Sequence, residues 1–143
     1  MRLTAIALAA AGLACAAGAA LAAQPTSTTI LPGHWAYSYR VGPFPAGDES
    51  RCLKPSDVEQ FAKGICTRRY TCNYDTRVVK DGQIRLKGTW TDKKGRVAPV
   101  TAKGVYTAES FTLDVRMKTV NGLPLAATMD AKRLSATCPA NPG

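Results

Sequence analysis

The chain has 143 residues, with 19 Lys and Arg against 10 Asp and Glu, one His and a formal net charge of +9. That length suits one domain with a single modest core and leaves no room for a comfortable second domain. The lone histidine argues against a histidine-rich metal site, and the basic excess favours anionic partners by long-range attraction while saying nothing about fold.

Residues 1–23 read MRLTAIALAAAGLACAAGAALAA: one positive charge at Arg2, an apolar run, then small residues. This is the pattern of a secretory signal peptide, with the small-x-small site at Ala20-Leu21-Ala22 and cleavage after Ala22, or alternatively after Ala23. A retained membrane anchor is the competing reading, but the run is Ala-rich and ends in small residues before Gln24-Pro25. A single arginine ahead of the run argues against the twin-arginine route. Cys15 leaves with the signal. The predicted mature domain, 23–143, keeps 18 basic and 10 acidic residues, a net charge of +8. It has no transmembrane segment and is expected to be a monomer. Outside the cytoplasm its anionic partners would be lipids or polymers of the envelope rather than nucleic acid.

After Pro32-Gly33, HWAYSYRV alternates Trp35, Tyr37, Tyr39 and Val41 with His34, Ala36, Ser38 and Arg40, the period of a half-buried strand. VGPFPAGDES, with two prolines and two glycines, reads as a loop. A short helix is predicted over about 56–63, with Ser56 and Glu59 as a capping box, Val58 and Phe61 on one face and Gly64 as its stop. Strands follow at 70–80 and 83–91, joined by Asp81-Gly82, a strong hairpin signal. In the second of these Ile84, Leu86 and Trp90 oppose Gln83, Arg85, Lys87 and Thr89. Val97 to Thr107 is a strand whose Pro99 suggests an edge or bulge. Phe111, Leu113, Val115 and Met117 alternate with Thr112, Asp114, Arg116 and Lys118, and Asn121-Gly122 turns into a last strand, 125–134. Six strands in this order predict a mostly β fold: an antiparallel meander curling into a barrel or half-barrel, one helix covering it.

Cys52, Cys66, Cys72 and Cys138 remain after cleavage, an even set that in an oxidising compartment implies two disulfides with three possible pairings. Their spacings contain no C-x2-C knuckle for zinc and no C-x-x-C redox pair. A Cys52–Cys66 bridge would close about 15 residues, worth roughly 3 kcal/mol by the chain-entropy model; any bridge from Cys138 would be worth more.

Catalytic candidates are few. His34 lies on the polar register of its strand, no Ser/His/Asp set can be assembled, and Asp48-Glu49 and Asp57/Glu59 are better explained by a loop and a helix cap than by paired acid/base work. No phosphate-cradling glycine loop is present. No cofactor, metal ligand or catalytic residue is assigned. Arg85, Lys87, Lys103, Arg116, Lys118 and Lys132 share the register opposite the apolar one, a candidate face for anionic polymer or lipid headgroups; the plainer reading is a solvated sheet face. Trp35, Tyr37, Tyr39, Trp90, Tyr106 and Phe111 are foremost core residues, although a barrel mouth lined by them could hold an apolar guest.

ILPGHWAYSYRV followed by RCLKPSDV resembles the domain of unknown function 3617 family of small exported bacterial proteins. The resemblance rests on Pro32-Gly33-His34-Trp35, on Cys52-Leu53-Lys54-Pro55-Ser56-Asp57, and on Ala131-Lys132-Arg133-Leu134 through Cys138, and it covers nearly the whole mature chain. Here His34 and Ala36 stand where the family has Leu and Glu, Trp90 stands where it often has a strand cysteine, and Cys66 is additional. The resemblance implies export to a Gram-negative-type envelope and a mostly β domain, with no established activity. The expectation is a periplasmic or secreted, non-enzymatic domain that binds an envelope component, either an anionic surface or a small apolar ligand. A structural or protein-interaction role is the alternative, and a hydrolase a further one.

Overall fold

The computed structural model describes residues 29–66, 69–119 and 121–140; the expected signal peptide and the end of the tail lie outside them. Seven strands and one helix follow in the order β1 (Gly33–Val41), β2 (Phe44–Leu53), α1 (Pro55–Ala62), β3 (Tyr70–Lys80), β4 (Gln83–Asp92), β5 (Val97–Tyr106), β6 (Ser110–Lys118) and β7 (Pro124–Ser135). All seven form one antiparallel sheet ordered β2-β1-β7-β6-β5-β4-β3. The chain is therefore mostly β, as expected, and the sheet is an unclosed half-barrel with edges at β2 and β3.

Alternation in the sequence places the two faces. In β4, Ile84, Leu86 and Trp90 are buried while Gln83, Arg85 and Lys87 are exposed, so a strict period of two separates core from solvent. The β3–β4 turn places Asp81 at φ 52° and Gly82 at φ 73°, the paired left-handed residues that a two-residue hairpin requires. Pro99 sits where the β5–β6 ladder has not yet begun, since that ladder starts at Val100↔Met117; its missing N–H interrupts no rung there.

The segment expected to be a loop is instead β2, which raises the strand count from six to seven. It pairs with β1 from Val41↔Phe44 to Gly33↔Leu53, with a register shift between Tyr39 and Arg40 beside Pro45. Proline is tolerated because β2 is an edge, with one row of backbone groups left unpaired. The helix also starts one residue earlier than predicted and is capped differently. Pro55 occupies its first turn, where its fixed φ suits a helix start, and the Lys54 N–H donates to Asp57 Oδ2 at 2.8 Å, so Asp57 does the work expected of the Ser56 and Glu59 pair. Gly64 follows the helix at φ 105°.

Helix α1 packs against β2 and β3, bridging the two free edges. Its single buried residue, Phe61, enters the core formed by Ile30, Trp35, Tyr37, Ile84, Leu86, Tyr106, Phe111 and Leu113 on the concave face. Close backbone approach shapes that face: a Cβ on Gly88 would lie 1.9 Å from the Asn73 carbonyl oxygen, and one on Gly104 2.2 Å from that of Thr112. Two disulfides, Cys52–Cys138 and Cys66–Cys72, fix the chain on either side of α1. The cysteines flanking the helix are thus staples, each tied to a different partner and not to each other. No thiolate of the four is left to hold zinc.

Candidate ligand-binding cleft

One residue from the helix and one from the sheet meet at a cleft, the helix as its roof and the sheet as its floor. Phe61 on α1 faces Phe111 on β6 with ring centroids 5.2 Å apart and Tyr106 on β5 at 5.5 Å. Ile30, Tyr37, Leu53 and Ile65 complete an apolar lining, with Asp57 and Gln60 at the rim, enclosing about 160 Å³ between helix and sheet. Aromatic and aliphatic walls with a few polar rim groups are the usual composition of a small-molecule site.

The roof is held from three directions. Cys52–Cys138 anchors β2 just ahead of α1, and Cys66–Cys72 ties the segment after it to β3. Tyr74 on β3 donates its hydroxyl hydrogen to the Ile65 carbonyl and accepts a 2.9 Å hydrogen bond from Trp90 Nε1, linking β4, β3 and the helix exit. Burial pushes the Tyr74 pKa up, so it stays a donor.

Beside the cleft, β1 and β2 carry a polar network on the concave face. Tyr39 donates to Glu49 Oε1, and Arg51 Nη2 lies 2.8 Å from the same oxygen and 3.0 Å from Oε2. The tyrosine hydrogen bond, together with Arg51, holds the Glu49 carboxyl below its usual range, and Glu49 raises the Arg51 pKa in turn. Burial and then the hydrogen bond to Glu49 raise Tyr39. Burial likewise pushes Tyr37 up to about 12; Arg51 opposes that shift, while Glu49 and Asp57 add to it.

The candidate basic face lies on the other side of the sheet. The ladders set Arg85 opposite Lys103, Lys87 opposite Thr101 and Thr101 opposite Arg116, gathering Arg85, Lys87, Lys103, Arg116 and Lys118 onto adjacent strands β4, β5 and β6. Asp114 interrupts them, facing Lys103 across the ladder and accepting from the Thr128 hydroxyl at 2.7 Å. Lys132 stands apart, between Ser110 and Ala36 toward the far end of β7. A shallow depression of about 440 Å³ opens on this face between Arg85, Lys103, Thr112 and Asp114.

The catalytic candidates are not brought together. His34 lies on the convex face of β1 opposite Cys52 and Ser135, whereas Glu49 lies on the concave face and Asp57 caps α1. Asp48 shares the convex face but accepts from Ser38, four residues along β1 from His34, roughly 13 Å away at the rise of a strand. Among the described residues, no three His, Cys, Asp or Glu side chains gather as a metal site, and no helix is long and apolar enough to cross a membrane. A larger groove of about 680 Å³ beside β3 is lined by Gln60, Lys63, Asn73 and Arg77 together with Tyr70, Tyr74 and the Cys66–Cys72 bridge, a more polar wall than that of the cleft.

The cleft residues Leu53 and Ile65 and the Tyr39–Glu49–Arg51 network were not singled out from sequence. Their signal was weak: Leu53 and Ile65 each sit one residue from a cysteine, and the Glu49-x-Arg51 spacing matters only once 44–53 is known to be a strand. The sequence model of a family described as "Protein of unknown function (DUF3617)" matches residues 30–138. No curated protein and no solved structure matches the chain.

Proposed function

Because the chain belongs to the DUF3617 family, whose function is not established, we propose from its own geometry that it is an exported, non-enzymatic binding domain of the bacterial envelope that holds a small apolar group beneath α1. The observation that carries this reading is the cleft of about 160 Å³ walled by Ile30, Tyr37, Leu53, Ile65 and the touching rings of Phe61 and Phe111. Apolar cavities of roughly 150 Å³ hold guests the size of benzene. The two disulfides support an oxidising compartment outside the cytoplasm, which fits the expected signal peptide.

Toluene titrated into the isotope-labelled protein tests it by NMR. Saturable shifts confined to Tyr37, Phe61, Ile65 and Phe111, and lost in Ile65→Phe, which fills the cleft, are the expected result. Shifts scattered over the surface without saturation, or unchanged binding by Ile65→Phe, overturn it.

A second reading is favoured by the ladder register that gathers five cations on β4, β5 and β6. On it, the convex face docks on anionic lipid or polymer. Association with phosphatidylglycerol vesicles should then weaken steeply with salt and fall further in the double variant Lys87→Glu/Arg116→Glu. Salt-independent association counts against it.

A further inference from the structure

Trp35 donates its indole N–H to the Leu31 carbonyl, Trp90 donates to Tyr74, Tyr74 to Ile65 and Tyr39 to Glu49. Tyr37 differs. It is 7% exposed and lines the cleft, yet its hydroxyl has no hydrogen-bond partner among the described residues. The surrounding charges, Arg51, Glu49 and Asp57, act on it only across space. The hydroxyl oxygen is not sealed from solvent, so it gives its hydrogen to water in the cleft, and a bound acceptor would take that water's place. With its ionisation pushed up to about 12 by burial, this hydroxyl is a donor at any physiological pH.

We infer that the cleft takes an uncharged acyl group, its carbonyl oxygen accepting from Tyr37 and its short apolar chain lying against Phe61, Ile65 and Phe111. This rests on reading the cleft as a ligand site and deepens it. Charge selects against a free carboxylate: Asp57 at the rim is acidic, and Arg51, the cation that acts on Tyr37, is already engaged by Glu49. A cationic head would find one acid at the rim, Asp57, already accepting from the Lys54 N–H, and would lose hydration near the Arg51 charge. The volume sets chain length, because about 160 Å³ is close to five water volumes at roughly 30 Å³ each. That admits a chain of four or so carbons with the carbonyl at the rim.

The test uses the full domain and four probes near neutral pH, followed by NMR titration: toluene, methyl valerate, valeramide and valerate. Both neutral acyl compounds should perturb the residues that toluene perturbs, with valerate at least tenfold weaker. Tyr37→Phe should weaken the neutral acyl compounds two- to tenfold, the worth of one hydrogen bond, and leave toluene unchanged. An ester preferred over the amide points to an O-acyl source and the reverse to an N-acyl source; either order supports the inference. Valerate binding as tightly as valeramide overturns it, as does Tyr37→Phe without effect on either neutral compound, and in both cases toluene binding leaves the cleft reading standing. If Tyr37→Phe also loses toluene, the ratio of valeramide to valerate on the unaltered protein decides. If none of the four binds, the cleft reading itself fails.

Discussion

On the concave face, Ile84, Val100 and Leu113 are at most 2% exposed; on the convex face of the same three strands, Arg85, Lys103 and Thr112 meet solvent, and Val105 is 54% exposed. One backbone serves both. Ile84 and Leu113 belong to the same packed core as Phe61 and Phe111, which line the cleft, so a change in one is felt in packing and cleft shape together. The convex residues touch mainly their ladder neighbours and can vary while the fold persists. A ligand held beneath α1 is therefore coupled to stability, whereas anything docked on the cations of β4 to β6 is not.

The disulfides divide between the same two faces and give the largest expected effect. Cys52 shares the convex register of His34, and Cys72 the concave register of Trp90. By the chain-entropy model the 86-residue Cys52–Cys138 closure is worth about 4.5 kcal/mol and the six-residue Cys66–Cys72 closure about 2. Urea unfolding of Cys52→Ser/Cys138→Ser against Cys66→Ser/Cys72→Ser should show that order; equal losses would mean that strain or residual unfolded structure dominates.

Truncation on opposite faces sharpens the contrast at smaller cost. Leu113→Ala removes a buried side chain and should cost about 3 kcal/mol. Val105→Ala, on the neighbouring strand but facing solvent, should stay within about 0.5 kcal/mol. Similar values for the two would break the assignment of faces.

The subtlest effect concerns Tyr37. Its folded-state pKa of about 12 lies above the 10.0 of an ordinary tyrosine. The unfolded chain therefore ionises first, so this residue's contribution is complete below pH 10 and declines as pH rises from 10 to 12. Tyr37→Phe should flatten the fall in stability over that window. An unchanged slope would show that Tyr39 and Tyr74, also raised, carry it instead.

Much of the sheet was legible because alternation is a local signal. Phe111 to Lys118 and Gln83 to Thr91 state their faces residue by residue, and Asp81-Gly82 states its own turn. The β2 strand was not legible, since Pro43 in the turn before it and Pro45 and Gly47 within it are strand breakers by propensity, and only its position at an edge excuses the latter two. The helix was found, but its cap shifted because Pro55 claims the first turn and leaves Asp57 three residues from Lys54. The Cys52–Cys138 bridge and the cleft were illegible for one reason. Each joins residues far apart in the chain, Cys52 with Cys138 and Phe61 with Phe111, and no local pattern reports such a meeting. The five clustered cations were legible from register, while the isolation of Lys132 depends on where along β7 it falls.

The two crosslinks also differ in when they can form. A chain emerging N-terminus first into an oxidising compartment presents Cys66 and Cys72 almost together, so their short ring can shut while most of the sheet is still unmade. Cys52 must wait for Cys138, 86 residues later, after every strand has emerged. An incomplete polypeptide would keep an unpaired sulfhydryl at position 52, and that leftover thiol would distinguish unfinished molecules from finished ones.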